Sequence, residues 1–132
     1  MLTINKQSDY GMLLISLLGS GTDFVSLGVL VDKTKLPHRF LAKIAAALAK
    51  NKILLSKEGK EGGYKLAGNW HNVSLYDYLR IFEGDMAVCG CHEQHDSCHY
   101  QHICQHRSFL EKKLTGLVTT QLKKIRLGEL FS

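Results

Sequence analysis

The spacing of apolar side chains predicts a chain that is mainly helical. Ser8 to Leu18 is the first predicted helix, because leucines recur there at helical spacing and Ser8 can cap its start. The glycine-containing segment 19–21 ends this helix. Ser26 opens a second, short helix, and a turn leads from it into Pro37. The N-terminal third is therefore expected to contain two helices before a third begins.

The third predicted helix, Pro37 to Lys50, has two different faces. Its apolar face is formed by residues at i, i+3, i+4 and i+7: Leu41, Ile44, Ala45 and Leu48. Its opposite face is mostly basic: Arg39, Lys43, Ala46 and Lys50. One side should pack in a core while a basic stripe faces outward. A helix-turn-helix enters the major groove with this arrangement, in which a short helix is joined by a tight turn to a second helix that has a basic outer face.

Two short strands follow the third helix. Ile53 to Lys57 and Tyr64 to Leu66 are strand-like, and the segment 58–63 between them contains three glycines and suits a hairpin loop. A basic hairpin placed directly after a recognition helix is typical of a wing, which contacts a phosphate strand or a minor groove. The lysines that this wing would present are Lys57, Lys60 and Lys65.

The C-terminal half is predicted to contain two further helices. One begins at Ser74, which suits a cap, and ends at Gly84. The other has an apolar stripe: Leu110, Leu114, Leu117, Val118, Leu122 and Ile125. This stripe has two explanations, packing on the chain's own core or pairing with a second copy, and we favour a dimerisation helix. The predicted fold is mainly α with a small β-hairpin wing: a winged helix-turn-helix domain (1–84), a cysteine-rich loop (85–106), and a dimerisation helix with a C-terminal tail (107–132).

Charge is concentrated in the region predicted to bind DNA. The chain of 132 residues has a formal net charge of +5, and segment 33–65 alone holds nine Lys or Arg against two acids. A localised basic surface indicates a phosphate-backbone partner. The chain also lacks an apolar run of the length a membrane span needs, and a secretory signal is not evident. We expect a cytoplasmic protein that does not enter a membrane.

The segment from Cys89 to Cys104 contains all four cysteines and four of the seven histidines, and His106 follows it. Thiolates this dense in a cytoplasmic chain are more typical of metal or cluster ligands than of disulfides. The alternatives are a redox-active thiol pair, inert cysteines, a closed structural zinc site in a DNA-binding regulator, and a cluster-free regulator that senses through its thiols or a partner. An enzyme is disfavoured, because the chain has no Cys-x-x-Cys pair, no glycine-rich nucleotide loop and no His-Glu-x-x-His helix.

Taken together, these elements give the chain a resemblance to a known family. The matching stretches are Asp9-Tyr10-Gly11, the segment 36–50, Gly62-Gly63-Tyr64, Phe82-Glu83-Gly84 and Leu127-Gly128-Glu129-Leu130. In their order and spacing the chain resembles the iron-sulfur winged-helix transcription regulators typified by IscR, NsrR and RirA. The resemblance implies a DNA-binding regulator, expected to be a repressor. It would sense iron-sulfur status, redox state or nitric oxide through a cluster whose loss changes operator binding.

The resemblance also implies a set of cluster ligands. Cys98 and Cys104 match the second and third cluster cysteines. The commonest family position of the first cysteine holds a histidine here, so we expect Cys91 in this role, with Cys89 as a less favoured alternative. Asp9 matches the position from which NsrR-like proteins supply a carboxylate from the partner subunit. IscR-like proteins instead use a histidine after the third cysteine, for which His106 is the candidate. A 4Fe-4S cluster is expected in preference to 2Fe-2S.

The expected partner is a double-stranded DNA operator, bound by a homodimer. Arg39 and Lys43 match reader positions of the family's recognition helix, with His38 and Phe40 beside Arg39. Lys57 and Lys60 would contribute from the wing. At the wing position where IscR has an arginine, this chain has Glu58.

Overall fold

The computed structural model describes residues 3–19, 21–84, 99–100 and 102–131. These residues form five α-helices and a hairpin in this order: α1 (Lys6–Leu18), α2 (Leu27–Thr34), α3 (His38–Lys50), β1 (Leu54–Lys57), β2 (Gly63–Leu66), α4 (Leu75–Glu83) and α5 (Thr115–Lys124). Short 3-10 turns cover Trp70–Asn72 and Leu127–Phe131, and a π-helical segment, Phe109–Leu114, leads into α5. The predicted fold class, mainly helical with one small hairpin, is confirmed.

The core lies where α1, α3 and α4 meet. Side chains from these helices, from α2 and from residues 53–54 at the start of the hairpin are almost fully buried there: Leu14, Ile15, Leu18, Leu30, Leu41, Ile44, Leu48, Ile53, Leu54 and Tyr78. The four residues of the apolar face predicted for the third helix are each at most 1% exposed. Because this face is anchored, the opposite face of α3 must point outward.

The cap of α1 is Asn5, not Ser8 as the sequence suggested. The Asn5 side chain accepts a 2.8 Å hydrogen bond from the backbone N–H of Ser8, so the helix starts one turn earlier. Ser8 lies inside the helix and is fully buried. The caps predicted for α2 and α4 are confirmed, since Ser26 and Ser74 each accept a hydrogen bond from a backbone N–H in the first turn of their helix.

The hairpin is antiparallel and is joined to the loop before α2. Leu54 pairs with Leu66 and Lys57 with Gly63. Val25 and Tyr64 exchange backbone hydrogen bonds of 2.9 and 2.8 Å, so the wing is attached to the loop that precedes α2. Gly63 has a φ of 146°, and a Cβ there would collide with the Val25 carbonyl. Glycine is therefore required where the wing meets this loop.

The C-terminal helix is present, but its first six residues, Phe109–Leu114, are π-helical rather than α-helical. Its regular part ends at Lys124, and Ile125 is already extended. The chain then turns back: the N–H of Leu75 donates to the Ile125 carbonyl at 2.8 Å, and that of Leu127 donates to Val73 at 2.7 Å. These bonds attach the end of α5 to the start of α4. Across the described ranges, no helix is both long and apolar enough to cross a bilayer.

Candidate DNA-binding surface and cysteine segment

The exposed face of α3 presents the cations that the sequence pattern assigned to it. Arg39 and Lys43 are exposed, and so is Lys50 in the last turn. His38, at the start of the helix, is exposed beside them. Pro37 precedes the helix and supplies no side-chain hydrogen bond to its first turn. The first N–H groups of α3 can therefore donate hydrogen bonds to an anionic partner beside the His38 and Arg39 side chains.

Phe40 is placed differently from its neighbours on α3. It is half-buried, and its ring packs edge-on against Tyr10 of α1, with 5.6 Å between ring centroids. This contact ties the N-terminal part of α3 to α1. Phe40 thus fixes the position of its neighbour Arg39 relative to the rest of the domain. The part of Phe40 that stays exposed remains available for a contact with DNA.

The turn between α2 and α3 adds two lysines that the motif comparison did not single out. Lys33 is exposed in the last turn of α2, and Lys35 is exposed in a left-handed conformation with φ of 60°. The N–H of Lys35 donates to the Val31 carbonyl at 2.8 Å, which closes the helix end. Only the charge count of segment 33–65 signalled these two residues, because they belong to no recognisable motif.

The wing carries its lysines in two settings. Lys60 is exposed in the loop between the strands, whereas the ammonium groups of Lys57 and Lys65 lie 5.7 and 4.8 Å from the centroid of the Phe24 ring. Phe24 was not identified from the sequence, since nothing in its neighbourhood marks it. Lys57 and Lys60 also line an open groove of about 490 Å³ between the wing and the start of α2.

Only the last part of the cysteine segment belongs to the described residues. Cys104 is half-buried, and its Sγ lies 3.6 Å from Nδ1 and 3.8 Å from Nε2 of His106. Cys89, Cys91 and Cys98 lie outside the described residues. Among the residues that are described, no three His, Cys, Asp or Glu side chains come together as a metal site. Asp9 is therefore not grouped with Cys104 and His106 within one chain.

The first turn of α1, which carries Asp9, is fastened to the end of α4. The backbone N–H of Asn5 donates to Glu83 at 3.1 Å, the Asn5 amide donates to the Phe82 carbonyl at 3.2 Å, and the Ser8 hydroxyl approaches Glu83 at 3.4 Å. Gly84 ends α4 with φ of 68°. Gly84, the last described residue before the cysteines, therefore lies at the same end of the molecule as Asp9.

Tyr78 joins the same two helices from within the core. Its hydroxyl donates a 2.6 Å hydrogen bond to the Ser8 carbonyl. Burial, together with the negative charges of Asp9 and Glu83, raises the pKa of Tyr78 well above its usual value. The phenol stays protonated at neutral pH, as a hydrogen-bond donor to a carbonyl must.

Comparison with known proteins gives partial matches to curated regulators. The chain is 39% identical over 59 residues to the HTH-type transcriptional regulator BadM of Rhodopseudomonas palustris, a match that covers 45% of this chain and 38% of that protein. It is 32% identical over 79 residues to the regulator YffB of Lactococcus lactis, covering 60% and 50% of the two. The chain thus matches about half the length of these relatives or less.

Solved structures share the fold over nearly the whole chain. CymR, described as the global cysteine regulator of B. subtilis, superimposes with a TM-score of 0.71 at 20% identity, covering 99% of this chain and 97% of CymR. IscR of T. potens superimposes with a TM-score of 0.64 at 22% identity, covering 98% and 85%. At these identities the likeness concerns the fold alone.

The family assignment rests on a match that spans almost the whole sequence. The model of the Rrf2 family, described as iron-dependent transcriptional regulators, matches residues 4–132. The family and the named relatives are regulators of transcription rather than enzymes, as the sequence led us to expect. Winged-helix architecture, the basic face of α3 and this match agree: the chain is a member of the Rrf2 family of transcriptional regulators.

Proposed function

We propose that this chain is a repressor that binds duplex operator DNA as a homodimer and releases or retains it according to the state of an iron-sulfur cluster in its cysteine segment. Regulators of its family bind DNA.

The observation that carries the DNA-binding proposal is the exposed basic face of α3 beside the wing. Arg39 and Lys43 are one helical turn apart on that face, and both are exposed. An arginine there can donate two hydrogen bonds to one guanine, whereas a lysine suits a guanine or a phosphate. We therefore assign base reading to Arg39 and Lys43, with His38 and Phe40 flanking them. Lys57 and Lys60 are assigned to the phosphates.

The donor set near the end of the cysteine segment fits a metal. Two ligands of one tetrahedral metal, bound at about 2.3 Å through sulfur and about 2.0 Å through nitrogen, lie about 3.5 Å apart. The distance from Cys104 Sγ to His106 Nδ1 is 3.6 Å. The separation is compatible with Cys104 and His106 binding one metal together, as in a zinc site or at one iron of a 2Fe-2S cluster. In a 4Fe-4S cluster each iron takes one protein ligand, and we assign that role to Cys104. Cys98 and Cys91 would complete the thiolate set, and Cys89 is the less favoured alternative to Cys91.

A bound cluster would supply iron that oxidants or nitric oxide attack, and this chain's part is to hold it and respond to its loss. Asp9 is the candidate for a fourth ligand reached from the partner subunit. It is exposed, so in the described chain it is available to a second molecule. A carboxylate is a hard ligand for such iron, and a site completed by Asp9 would exchange more readily than one completed by His106.

The same donor distance favours one second candidate, a regulator that binds zinc. Zinc takes thiolate and imidazole ligands in closed tetrahedral sites, so Cys104 and His106 suit it equally well. Purification under anaerobic conditions separates the two candidates. We expect a brown protein with visible absorption and equimolar iron and sulfide. A colourless protein with one zinc per chain would support the second candidate.

Single Cys→Ser variants purified anaerobically test the ligand set. We expect Cys98→Ser, Cys104→Ser and Cys91→Ser to lose the visible absorption and Cys89→Ser to retain it. Full absorption in the Cys98 or Cys104 variant contradicts the assignment, and loss in the Cys89 but not the Cys91 variant exchanges the first ligand. Asp9→Ala should assemble a cluster that decays faster in air. An unchanged lifetime would transfer the fourth position to His106.

The DNA surface is tested with a duplex selected by the unaltered protein from a random-sequence pool. Arg39→Ala should weaken binding to it by about 1 to 3 kcal/mol and relax the preference at one base pair. Lys112→Ala is the matched control, because Lys112 is equally exposed but lies on the C-terminal helix. If Arg39→Ala and Lys112→Ala bind alike, α3 does not read the operator.

A further inference from the structure

Phe24 lies where the loop before α2 meets the wing, and its backbone position is well fixed. The next residue, Val25, exchanges two backbone hydrogen bonds with Tyr64 of β2. Gly63 allows this close approach, since any side chain there would collide with Val25. The Phe24 ring is therefore held at a set distance from the hairpin rather than on an independent loop.

Two wing lysines use this ring as their contact. Gly63 pairs with Lys57 and Leu55 pairs with Lys65, so both lysine side chains project from the same face of the hairpin. Their Nζ atoms lie 5.7 and 4.8 Å from the ring centroid, within the range of cation–π attraction. Across the described residues, neither ammonium is paired with a carboxylate. The ring is thus what holds the two cations at this face.

Holding two like charges on one ring has a consequence for binding. Lysine side chains lose rotamer freedom when they bind a phosphate, and a contact that restricts them beforehand reduces that loss. Each ammonium has three donors, so one that rests over a ring can still bind a phosphate oxygen. Lys60 lies close by, because it lines the same groove as Phe24 and Lys57.

We propose that Phe24 is a positioning residue for DNA binding, whose ring holds the ammonium groups of Lys57 and Lys65 so that, with Lys60, the wing presents a preorganised row of cations to the phosphates of one DNA strand. The inference rests on the proposed DNA-binding function. It adds Phe24 and Lys65 to the interface and assigns them no role in base recognition. Their effect should therefore be equal on selected and unselected duplexes.

The test compares full-length Phe24→Leu, Phe24→Tyr and Phe24→Trp by fluorescence anisotropy. Two probes are used, the duplex selected by the unaltered protein and a mixed-sequence 30-base-pair duplex. Leucine keeps apolar bulk but removes the ring, whereas tyrosine and tryptophan keep it. We expect a three- to ten-fold loss of affinity for both probes in Phe24→Leu and near-normal affinity in the two aromatic variants. Thermal unfolding checks that all three variants fold.

A second comparison separates positioning from a merely structural role. Phe24→Leu is introduced into a chain that already has Lys57→Gln and Lys65→Gln. If the ring acts through the lysines, the leucine substitution costs no further affinity in this background. A loss of the same size with and without the lysines would overturn the inference, as would equal affinities of Phe24→Leu and Phe24→Tyr.

Different results would contradict the DNA-binding function and the role of Phe24. If the unaltered protein binds neither probe at low salt, the DNA-binding function and the role of Phe24 are both wrong. If it binds, and Arg39→Ala weakens binding while Phe24→Leu does not, the function stands and the role of Phe24 alone is wrong.

Discussion

Gly11 lies where α1 passes the hydroxyl of Tyr78, and no side chain fits at this point. A Cβ added to Gly11 would overlap Tyr78 Oη and lie 3.2 Å from Phe82 Cε2. Tyr78 cannot move aside cheaply, because its hydroxyl is fully buried and bonded to the Ser8 carbonyl. Glycine at position 11 is thus required for the contact between α1 and α4.

Gly11→Ala is expected to lower the free energy of unfolding by about 1 to 3 kcal/mol, the usual cost of overpacking a core. Gly28→Ala is the matched control, since Gly28 is also helical and its nearest neighbour to an added Cβ is Ser26 Oγ at 3.9 Å. That variant should be unchanged or gain up to about 1 kcal/mol from helix propensity. Urea unfolding measures both, and equal stabilities would contradict the packing argument.

Because the pKa of Tyr78 is raised, the free energy of unfolding should depend on pH in the alkaline range. In the unfolded chain the phenol loses its proton near its usual pKa of 10.0, whereas in the folded chain it keeps it. The folded state then binds more protons, so stability should fall above pH 10 by at most about 1.4 kcal/mol per pH unit from this group. Urea unfolding from pH 8 to 11 should show that Tyr78→Phe removes this slope. Tyr100→Phe, an exposed control, should keep it.

The glycines of the family motifs could be recognised from the sequence, but the reasons for them could not. Gly11 avoids Tyr78, Gly63 avoids Val25, and Gly128 lies so close to His71 that an added Cβ would be 2.8 Å from its Cβ. Each reason is a contact between segments far apart in the chain. Hydrophobic periodicity reflects only residues that are close together in the sequence. The motifs therefore identified the fold, but not the long-range contacts that require glycine at these positions.

At the scale of elements, the cap of α1 shows how a distant contact decides between local alternatives. Asn5 and Ser8 are both residues that suit a helix N-cap. Asn5 is selected because Glu83 and the Phe82 carbonyl bind its backbone and side chain from 77 to 78 positions away. The sequence could predict that a helix starts near Asn5 or Ser8. It could not predict the contact with the end of α4 that decides which of the two residues is the cap.

Glu83→Ala should loosen this attachment of α1 to α4. It leaves the part-buried N–H of Asn5 without its acceptor, which costs about 1 to 2 kcal/mol. Hydrogen exchange should rise first at the start of α1. Glu61→Ala, an exposed change in the wing loop, serves as the control and should leave α1 unaffected. If exchange in α1 is the same in both variants, Glu83 does not hold the helix.

The candidate site was predictable where it follows a regular element. Helical spacing alone placed Arg39 and Lys43 outside and Leu41 inside, and the structure agrees. Phe24 was not predictable, because the role proposed for it depends on the register of the hairpin and on the backbone bridge between Val25 and Tyr64. The π-helical start of the C-terminal helix was equally hidden, because the spacing of four residues between Leu110 and Leu114 fits a plain α-helix as well as a π-helix.

At the scale of the whole molecule, the C-terminal helix has an apolar stripe that a single chain covers only in part. Of this helix, only Leu122 packs against the core, joined by Ile125 just beyond its end. Phe109 and Leu117 are 56% and 54% exposed. The start and middle of the helix therefore present apolar surface, which the proposed homodimer would bury.

Leu117→Glu should convert the proposed dimer to a monomer without unfolding it, because a charge in an apolar interface between copies is desolvated without a partner, whereas the single chain leaves Leu117 largely exposed to water. Gly116→Glu is the control, since it adds the same charge to an exposed position of α5 on the side opposite the stripe, where an added Cβ meets nothing within 4 Å. Sedimentation equilibrium should show the monomer for Leu117→Glu alone, with an unchanged melting temperature. Operator affinity should fall with it, because two-fold binding joins two half-sites and a monomer engages only one. A Leu117→Glu protein that remains dimeric would assign the stripe to another role.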